Sequence, residues 1–441
     1  MFDYKKKIIA VDKAVGKVKS GCQIVTGLGA AEARLFMLSL HKAAARGVAG
    51  VTVNNCLPMA GGDYLTDPKY VENFEINSWF YTPLLRKCHG AGGAAYIPNH
   101  LHLAGSKRLQ HIKPDIYVGA ASMPDKHGYV SLSVSNTYEK KVIEKAGTVI
   151  LEINPNFPRT FGDVELHLRD VDYVIEADYP VPEIGEAAPN EADLKIGKLI
   201  ADQIENGDCI QLGIGGMPNA IAKALYGKKD LGVHTEMLTE EMPRLFASGV
   251  INGRKKRLQP GKMTCAFILG GRALYAFADD NPAVFVMDGG WVNDPYVIGR
   301  NDNQVSINSA IEVDLTGQCA SESIGARQIS GTGGQADTAI GAQNSKGGRS
   351  YICLYSTAAV KDADGRPKTV SKIAPRLNHG AIVSLSRNDV DRVATEYGIA
   401  ELRGTNTRER VERLTAIAHP DFRDELMREA YGLGIVGRKS F

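Results

Sequence analysis

The residues with the clearest chemical potential lie in Asp230–Met237, DLGVHTEM, which runs on into LTEEMPRLF, a stretch with helical character. His234, Thr235 and Glu236 fall where a short strand should end and a helix begin. Ligands of open α/β sheets bind beyond the carboxyl ends of strands, so a carboxylate here is well placed for covalent or acid–base work. A lone glutamate at a helix start is also commonly a solvated side chain favoured by the helix dipole. His234 taken alone is as readily structural as catalytic.

Three glycine-rich turns are the next candidates: Gly27-Leu-Gly29, Gly213-Ile-Gly215-Gly216 and Gly331-Thr-Gly333-Gly334-Gln335. A strand–glycine–helix turn lets main-chain N–H groups approach a phosphate or a developing oxyanion closely. The same glycines also serve simple tight turns. A dinucleotide site is a third reading, with GLGAAE and GIGGMP sharing the first two glycines of G-x-G-x-x-G. Glu32 and Pro218 replace the third, leaving the fingerprint incomplete. Glu236, 23 residues past Gly213, fits the acidic ribose partner of such a site only loosely. No G-x-x-x-x-G-K-[ST] loop is present, which disfavours phosphoryl transfer. His100-x-His102 would place two imidazoles on one strand face, but no third ligand lies near, so no metal is expected.

Positioning such groups requires a sheet. Short Val- and Ile-rich runs recur between helical stretches: Gln23–Thr26, Gly50–Val53, Ile116–Gly119, Thr148–Ile153, Cys209–Leu212, Ala283–Met287 and Tyr351–Leu354. Strands alternating with longer periodic segments predict βαβ units and mainly parallel sheets. Helices are predicted at Pro218–Leu225 and Asn406–Ile417. Residues 21–29, GCQIVTGLG, echo residues 207–215, GDCIQLGIG, at a displacement of 186, close to half the chain. Duplicated α/β halves follow, with a linker at Tyr179–Glu191, where prolines and acidic residues cluster. The expected domains are 1–185 and 186–441, the second carrying Glu236.

The 52 Lys+Arg residues against 50 Asp+Glu leave a net charge of +2, too small for a general attraction to nucleic acid or anionic membranes. Seven scattered cysteines with no C-x-x-C suggest reduced thiols, not a disulfide framework. No apolar run is long enough to span a bilayer, and the charged N-terminus lacks a signal-peptide core. A cytoplasmic, soluble protein is expected. The run GRKKR (253–257) reads as solvated surface.

Several segments in order resemble the family I CoA-transferases: PDKHGYVSLS (124–133), EINPNFPRTFGD (152–163), GIGGMPNAIAKAL (213–225), GVHTEM (232–237), NDNQVSINSAIEVDLTGQ (301–318), SGTGGQADTAIGA (330–342), ATEYGIAELRG (394–404) and AIAHPDFRDEL (416–426). Within that family the similarity is greatest to butyryl-CoA:acetate CoA-transferases, with 4-hydroxybutyrate CoA-transferases next. The resemblance implies two related open α/β domains with the active site between them and Glu236 as the covalent nucleophile. It matches Gln211, Leu212, Gly213, Ile214, Gly215, Ile311, Gly333 and Lys361 to CoA-contacting positions. YIPNHLH (96–102) resembles the butyryl-type version of its segment, and His100 and His102 within it are expected to help shape a small-acid pocket.

Exchange of CoA between two carboxylic acids is nearly balanced and needs no ATP or metal. Acyl-CoA and small carboxylic acids are then the partners, with CoA thioesters as substrates and no permanently bound cofactor. Butyryl-CoA with acetate is the expected pair, and a homo-oligomer the expected assembly. The N–H groups of Gly333 and Gly334 are candidates for an oxyanion hole. Alternatives are 4-hydroxybutyrate transfer, acyl-CoA hydrolysis and, from another class, a dinucleotide-binding module.

Overall fold

The computed structural model describes residues 4–90, 92–362 and 364–437. Its two large sheets have the same strand order. In space the first runs Tyr173–Glu176, Thr148–Ile153, Ile116–Ala121, Gln23–Thr26, Val51–Asn55, Phe74–Ser78, Ala94–Tyr96. The corresponding strands of the second run Arg392–Thr395, Arg349–Cys353, Gln304–Ser309, Cys209–Leu212, Gly232–Leu238, Met263–Ile268, Val284–Val286. The echoed segments, Gln23–Thr26 and Cys209–Leu212, thus occupy the same central place in each sheet.

All pairings between those strands are parallel. Strands of a parallel sheet are covered on both faces, and Val51–Asn55, Ile116–Ala121 and Met263–Ile268 are buried along their whole length. The second sheet gains an edge strand at each side. Gly398–Glu401 joins antiparallel to Arg392–Thr395, and Phe161–Gly162 crosses from the first half to pair with Val284–Val286.

One apolar core runs through both halves, from Val25, Tyr117, Tyr138 and Leu151 to Ile210, Val233, Cys265 and Tyr351. Burying each such large side chain contributes roughly 1.5–3 kcal/mol. Smaller clusters cover the outer faces, around Phe36, Met37 and Phe74 in one half and Val313, Leu354 and Val393 in the other. Residues 177–190 form neither helix nor strand, and the next helix begins at Glu191, capped by Asn190 and Asp193.

Several predicted bounds move slightly. The helix expected at Pro218–Leu225 spans Gly216–Ala224, and that expected at Asn406–Ile417 spans Thr407–Ala416 with Asn406 as its cap. A larger difference concerns GRKKR: Lys256 is not solvated. It is 5% exposed, and its Nζ donates to Val233 O (2.8 Å), Lys262 O (2.7 Å) and Thr264 Oγ1 (2.7 Å). Burial lowers its pKa to about 8. A charge run reads as surface because its neighbours are exposed, while the long aliphatic stem allows one member to reach inward.

Candidate active site

The strand carrying Glu236 extends further than expected. It spans Gly232–Leu238, and the next helix begins only at Glu241, so Glu236 belongs to the carboxyl-terminal part of the strand, not to a helix start. The helix-dipole reading of this residue therefore falls away. Strand pairing with Met263–Ile268 fixes its backbone, and its side chain reaches a cleft with a volume of about 190 Å³.

The cleft draws on both halves. Phe80 comes from the first; Gln211, Leu212, Gly213, Glu236, Asn308 and the turn Ser330–Gln335 come from the second. Asn293 Nδ2 donates to Glu236 Oε2 at 2.8 Å, and the main-chain N–H of Gly334 also donates to this carboxylate. Glycine at 334 permits this approach: a Cβ there would stand 1.8 Å from Glu236 Oε2 and 2.2 Å from Asn293 Nδ2 and displace both side-chain ends. Gly333, with a left-handed φ of 53°, turns the chain so that its neighbour meets the carboxylate.

Burial pushes the Glu236 carboxyl up to about 7. The Asn293 amide and the Gly334 N–H oppose that shift, while the charge of Asp337 adds to it. Such an acid divides between its two forms near neutrality, a condition suited to catalysis.

His234 supports the arrangement from behind. It is 2% exposed, and burial beside Lys256 lowers its pKa to about 3, so the ring is neutral. Its Nε2 donates to Val292 O at 2.8 Å, tying the helix Gly289–Val292 to the strand and placing the adjacent Asn293 against Glu236.

The turn Gly331–Gln335 is gripped from the first half. Arg86 Nη1 donates to Ile329 O (2.7 Å), Thr332 N to Tyr96 Oη (3.1 Å), and Leu101 N to Gly333 O (3.1 Å). Gly331 lies so close to Trp79 that a Cβ would come within 2.3 Å of its carbonyl oxygen.

Of the residues matched to CoA contacts, Gln211, Leu212, Gly213 and Gly333 line the cleft together with Glu236 and Gly334. Gln211 Oε1 is engaged within the sheet, accepting from Ser306 Oγ and Ile307 N, both at 3.1 Å. Ile214 and Gly215 lie on the adjoining turn and line a second cavity, with Ile214 49% exposed. Ile311 and Lys361 are outside the lining of the cleft; Lys361 ends an exposed hairpin strand, Thr357–Lys361. His100 and His102 approach Asp337, and among the described residues no group of three or more His, Cys, Asp or Glu is arranged to hold a metal. Nor is any described helix long and apolar enough to cross a membrane.

Asn293, Asp337, Phe80 and Tyr96 were not anticipated as site residues. Asn293 follows a four-residue helix in WVNDP, a sequence that signals only a turn. Its partner lies 57 residues away, beyond the reach of any local pattern.

Residues 2–184 match the acetyl-CoA hydrolase/transferase N-terminal domain, and residues 270–430 match the C-terminal domain of the same family. The chain is 41% identical to a 4-hydroxybutyrate coenzyme A transferase of Clostridium kluyveri, over 97% of each protein. It is 36% identical to a butyryl-CoA:acetate CoA-transferase of Anaerostipes caccae, over 97% of this chain and 96% of the relative. The crystal structure of RipA from Yersinia pestis superposes with a TM-score of 0.89 at 33% identity, covering 98% of this chain and 99% of RipA. The chain belongs to the acetyl-CoA hydrolase/transferase family and is a CoA-transferase.

Proposed function

We propose that the enzyme exchanges CoA between a short-chain acyl-CoA and a small carboxylic acid by a ping-pong route through a glutamyl-CoA thioester on Glu236. One observation carries this reading: a desolvated carboxylate, held by Asn293 and Gly334, lies in the cleft that joins the two halves.

A carboxylate oxygen of Glu236 attacks the thioester carbonyl carbon. The C–S bond breaks, leaving an acyl-glutamyl anhydride and CoA thiolate. The thiolate then attacks the glutamyl carbonyl, and the first acid departs as carboxylate. The acceptor acid attacks the glutamyl thioester, and the same two steps in reverse deliver the new acyl-CoA and free Glu236. Each tetrahedral intermediate carries an oxyanion, for which the N–H groups of Gly333 and Gly334 are the proposed donors. Removing one such donor typically costs about 3 kcal/mol of transition-state stabilisation.

The ionised form is the nucleophile, so a pKa near 7 leaves a substantial reactive fraction at neutral pH. Gln211, Gly213 and Gly333 are proposed to contact the CoA chain along the cleft. Lys361 stands away from the lining and is retained only as a contact for a distal part of CoA.

The relatives favour 4-hydroxybutyryl-CoA over butyryl-CoA as donor, because identity is 41% to the 4-hydroxybutyrate enzyme and 36% to the butyryl-CoA:acetate enzyme. This reverses the order suggested by the sequence segments. Borohydride trapping after incubation with acyl-CoA, followed by peptide mass spectrometry, is expected to modify Glu236. An unmodified Glu236 would overturn the covalent route. Exchange rates with the two acyl-CoA donors, each against acetate, test the preference.

A further inference from the structure

A segment of the first half closes over the helix that begins beside the nucleophile. Gly334 precedes the helix Gln335–Asn344, and Asp337 is in its first turn. The Asp337 side chain is 2% exposed. Its Oδ1 accepts from His102 Nδ1 at 2.7 Å, and its Oδ2 accepts from the main-chain N of His102 at 3.1 Å. The His100 ring stacks on His102 with centroids 6.2 Å apart and planes 16° from parallel. His100 Nδ1 is 4.0 Å from the same Asp337 oxygen.

Asp337 is bonded by His102 and approached by His100 of the first half, and it lies three residues past Gly334, whose N–H meets the Glu236 carboxylate of the second. Asn293 and the Gly334 N–H, which face Glu236, are neutral donors. The buried Cys56 thiol, which also senses Glu236, is pushed well above its usual range and stays neutral. Beside Gly290 and the His102 carbonyl, Lys141 of the helix Glu139–Ile143 and Asp288, which caps the helix Gly289–Val292, form a 2.7 Å ion pair that cancels locally. The charge of Asp337 itself opposes ionisation of Glu236.

We propose that His102, stacked on His100, is a positioning residue that acts through Asp337 to set the charge state of Glu236. An imidazolium at position 102 compensates the Asp337 carboxylate and lets Glu236 ionise more easily. A neutral ring leaves that negative charge to oppose it. The first half of the molecule thereby tunes a nucleophile carried by the second.

This inference rests on Glu236 being the nucleophile, so its test uses two separable readouts. The first is the infrared carboxyl stretch of Glu236, identified by its loss in E236Q, followed against pH; it reports ionisation whether or not Glu236 attacks substrate. The second is the pH profile of kcat/KM for CoA exchange. D337N is expected to move the Glu236 midpoint down, and H102Q up, each by about one pH unit. Because His102 acts through Asp337, the double variant D337N/H102Q is expected to match D337N alone. H102K, charged across the whole range, is expected to hold the midpoint at or below that of the unaltered protein.

A merely structural contact would not give opposite shifts. Shifts of D337N and H102Q in the same direction, additive effects in the double variant, or an unmoved midpoint would each overturn the proposal. Should D337N fail to fold, H102Q and H102K decide alone: opposite shifts support the coupling and equal shifts exclude it. An E236Q enzyme that kept its turnover would defeat the nucleophile assignment, while the infrared titration would still decide the coupling.

Discussion

In the first half, the crevice between strands Gln23–Thr26 and Ile116–Ala121 is filled by its own chain. Tyr138 donates its hydroxyl to Thr26 O at 3.0 Å, and Glu139 accepts from Leu28 N at 2.9 Å. In the second half, the matching crevice between Cys209–Leu212 and Gln304–Ser309 is a cleft edged by Gly213, Asn308 and Ser309. A parallel sheet offers a binding place wherever its strand order reverses. Here one fold provides it twice, and side-chain size decides which copy stays open. Each half also holds a carboxyl group pushed up to about 7 by desolvation, the buried Glu32 in the first and the half-buried Glu236 in the second. Glu32 is 2% exposed, and its Oε2 accepts from Met59 N (2.9 Å) and Ala60 N (2.7 Å), stitching two loops together. Glu236 has similar desolvation but opens onto the cleft. On the proposed mechanism, a perturbed carboxyl group becomes a reagent only where substrate can reach it.

Substitution of the two carboxylates puts this contrast to its hardest test. E236Q is expected to lower kcat for CoA exchange at least about 10⁴-fold, as removal of a covalent nucleophile does. E32Q should stay within about tenfold of the native kcat, its effect falling on thermal stability instead. Equal losses in a steady-state exchange assay would break the distinction. The next largest effect is expected from G334A. Its Cβ would overlap the Glu236 carboxylate and displace the proposed oxyanion donor, lowering kcat about 10²- to 10³-fold with KM for acyl-CoA little changed.

The raised pKa of Glu236 gives two outcomes of opposite sense. The proposed mechanism needs the ionised form, so kcat/KM should fall about tenfold per pH unit below the midpoint near 7. Stability runs the other way. Between the ordinary glutamate value of 4.5 and about 7 the folded protein holds a proton that the unfolded chain has released. Stability from this group is therefore full below 4.5 and is lost as pH rises through that window. E236Q removes the penalty, and by pH 8 it should be the more stable protein by up to about 3 kcal/mol in urea unfolding. Coincident unfolding curves at pH 8 would show that burial does not strain this carboxylate.

How far the sequence reveals this site depends on whether the signal is local. Strands such as Thr148–Ile153 and Cys209–Leu212 are legible because Val, Ile and Leu dominate them and a glycine or a charged residue stands at their ends. Glu236 is legible by its place after the second glycine turn and by the motif around it, although its strand runs two residues past it. The long-range contacts around it are not. His102 and Asp337 are 235 residues apart, and Tyr96 and Thr332 are 236 apart. No periodicity carries such pairings. Lys256 misleads for a related reason: a buried lysine among exposed basic neighbours is distinguished only by the three oxygens it reaches.

The smallest expected effect tests whether the first half only supports the site. Tyr96 Oη accepts from Thr332 N at 3.1 Å and also lies 3.4 Å from Thr332 Oγ1, which donates in turn to Glu322. Y96F deletes that acceptor and leaves a half-buried N–H without a partner, at a cost of about 1–3 kcal/mol. Part of that cost should appear as looser placement of the Gly331–Gln335 turn, because Arg86 and Leu101 still hold its flanks. The expected result is a kcat reduced no more than about tenfold, with the pH midpoint of kcat/KM unmoved, since no charge near Glu236 changes. A loss approaching that of E236Q would mean that Tyr96 itself meets the reacting atoms. The division between a half that reacts and a half that positions would then have to be redrawn around the seam between them.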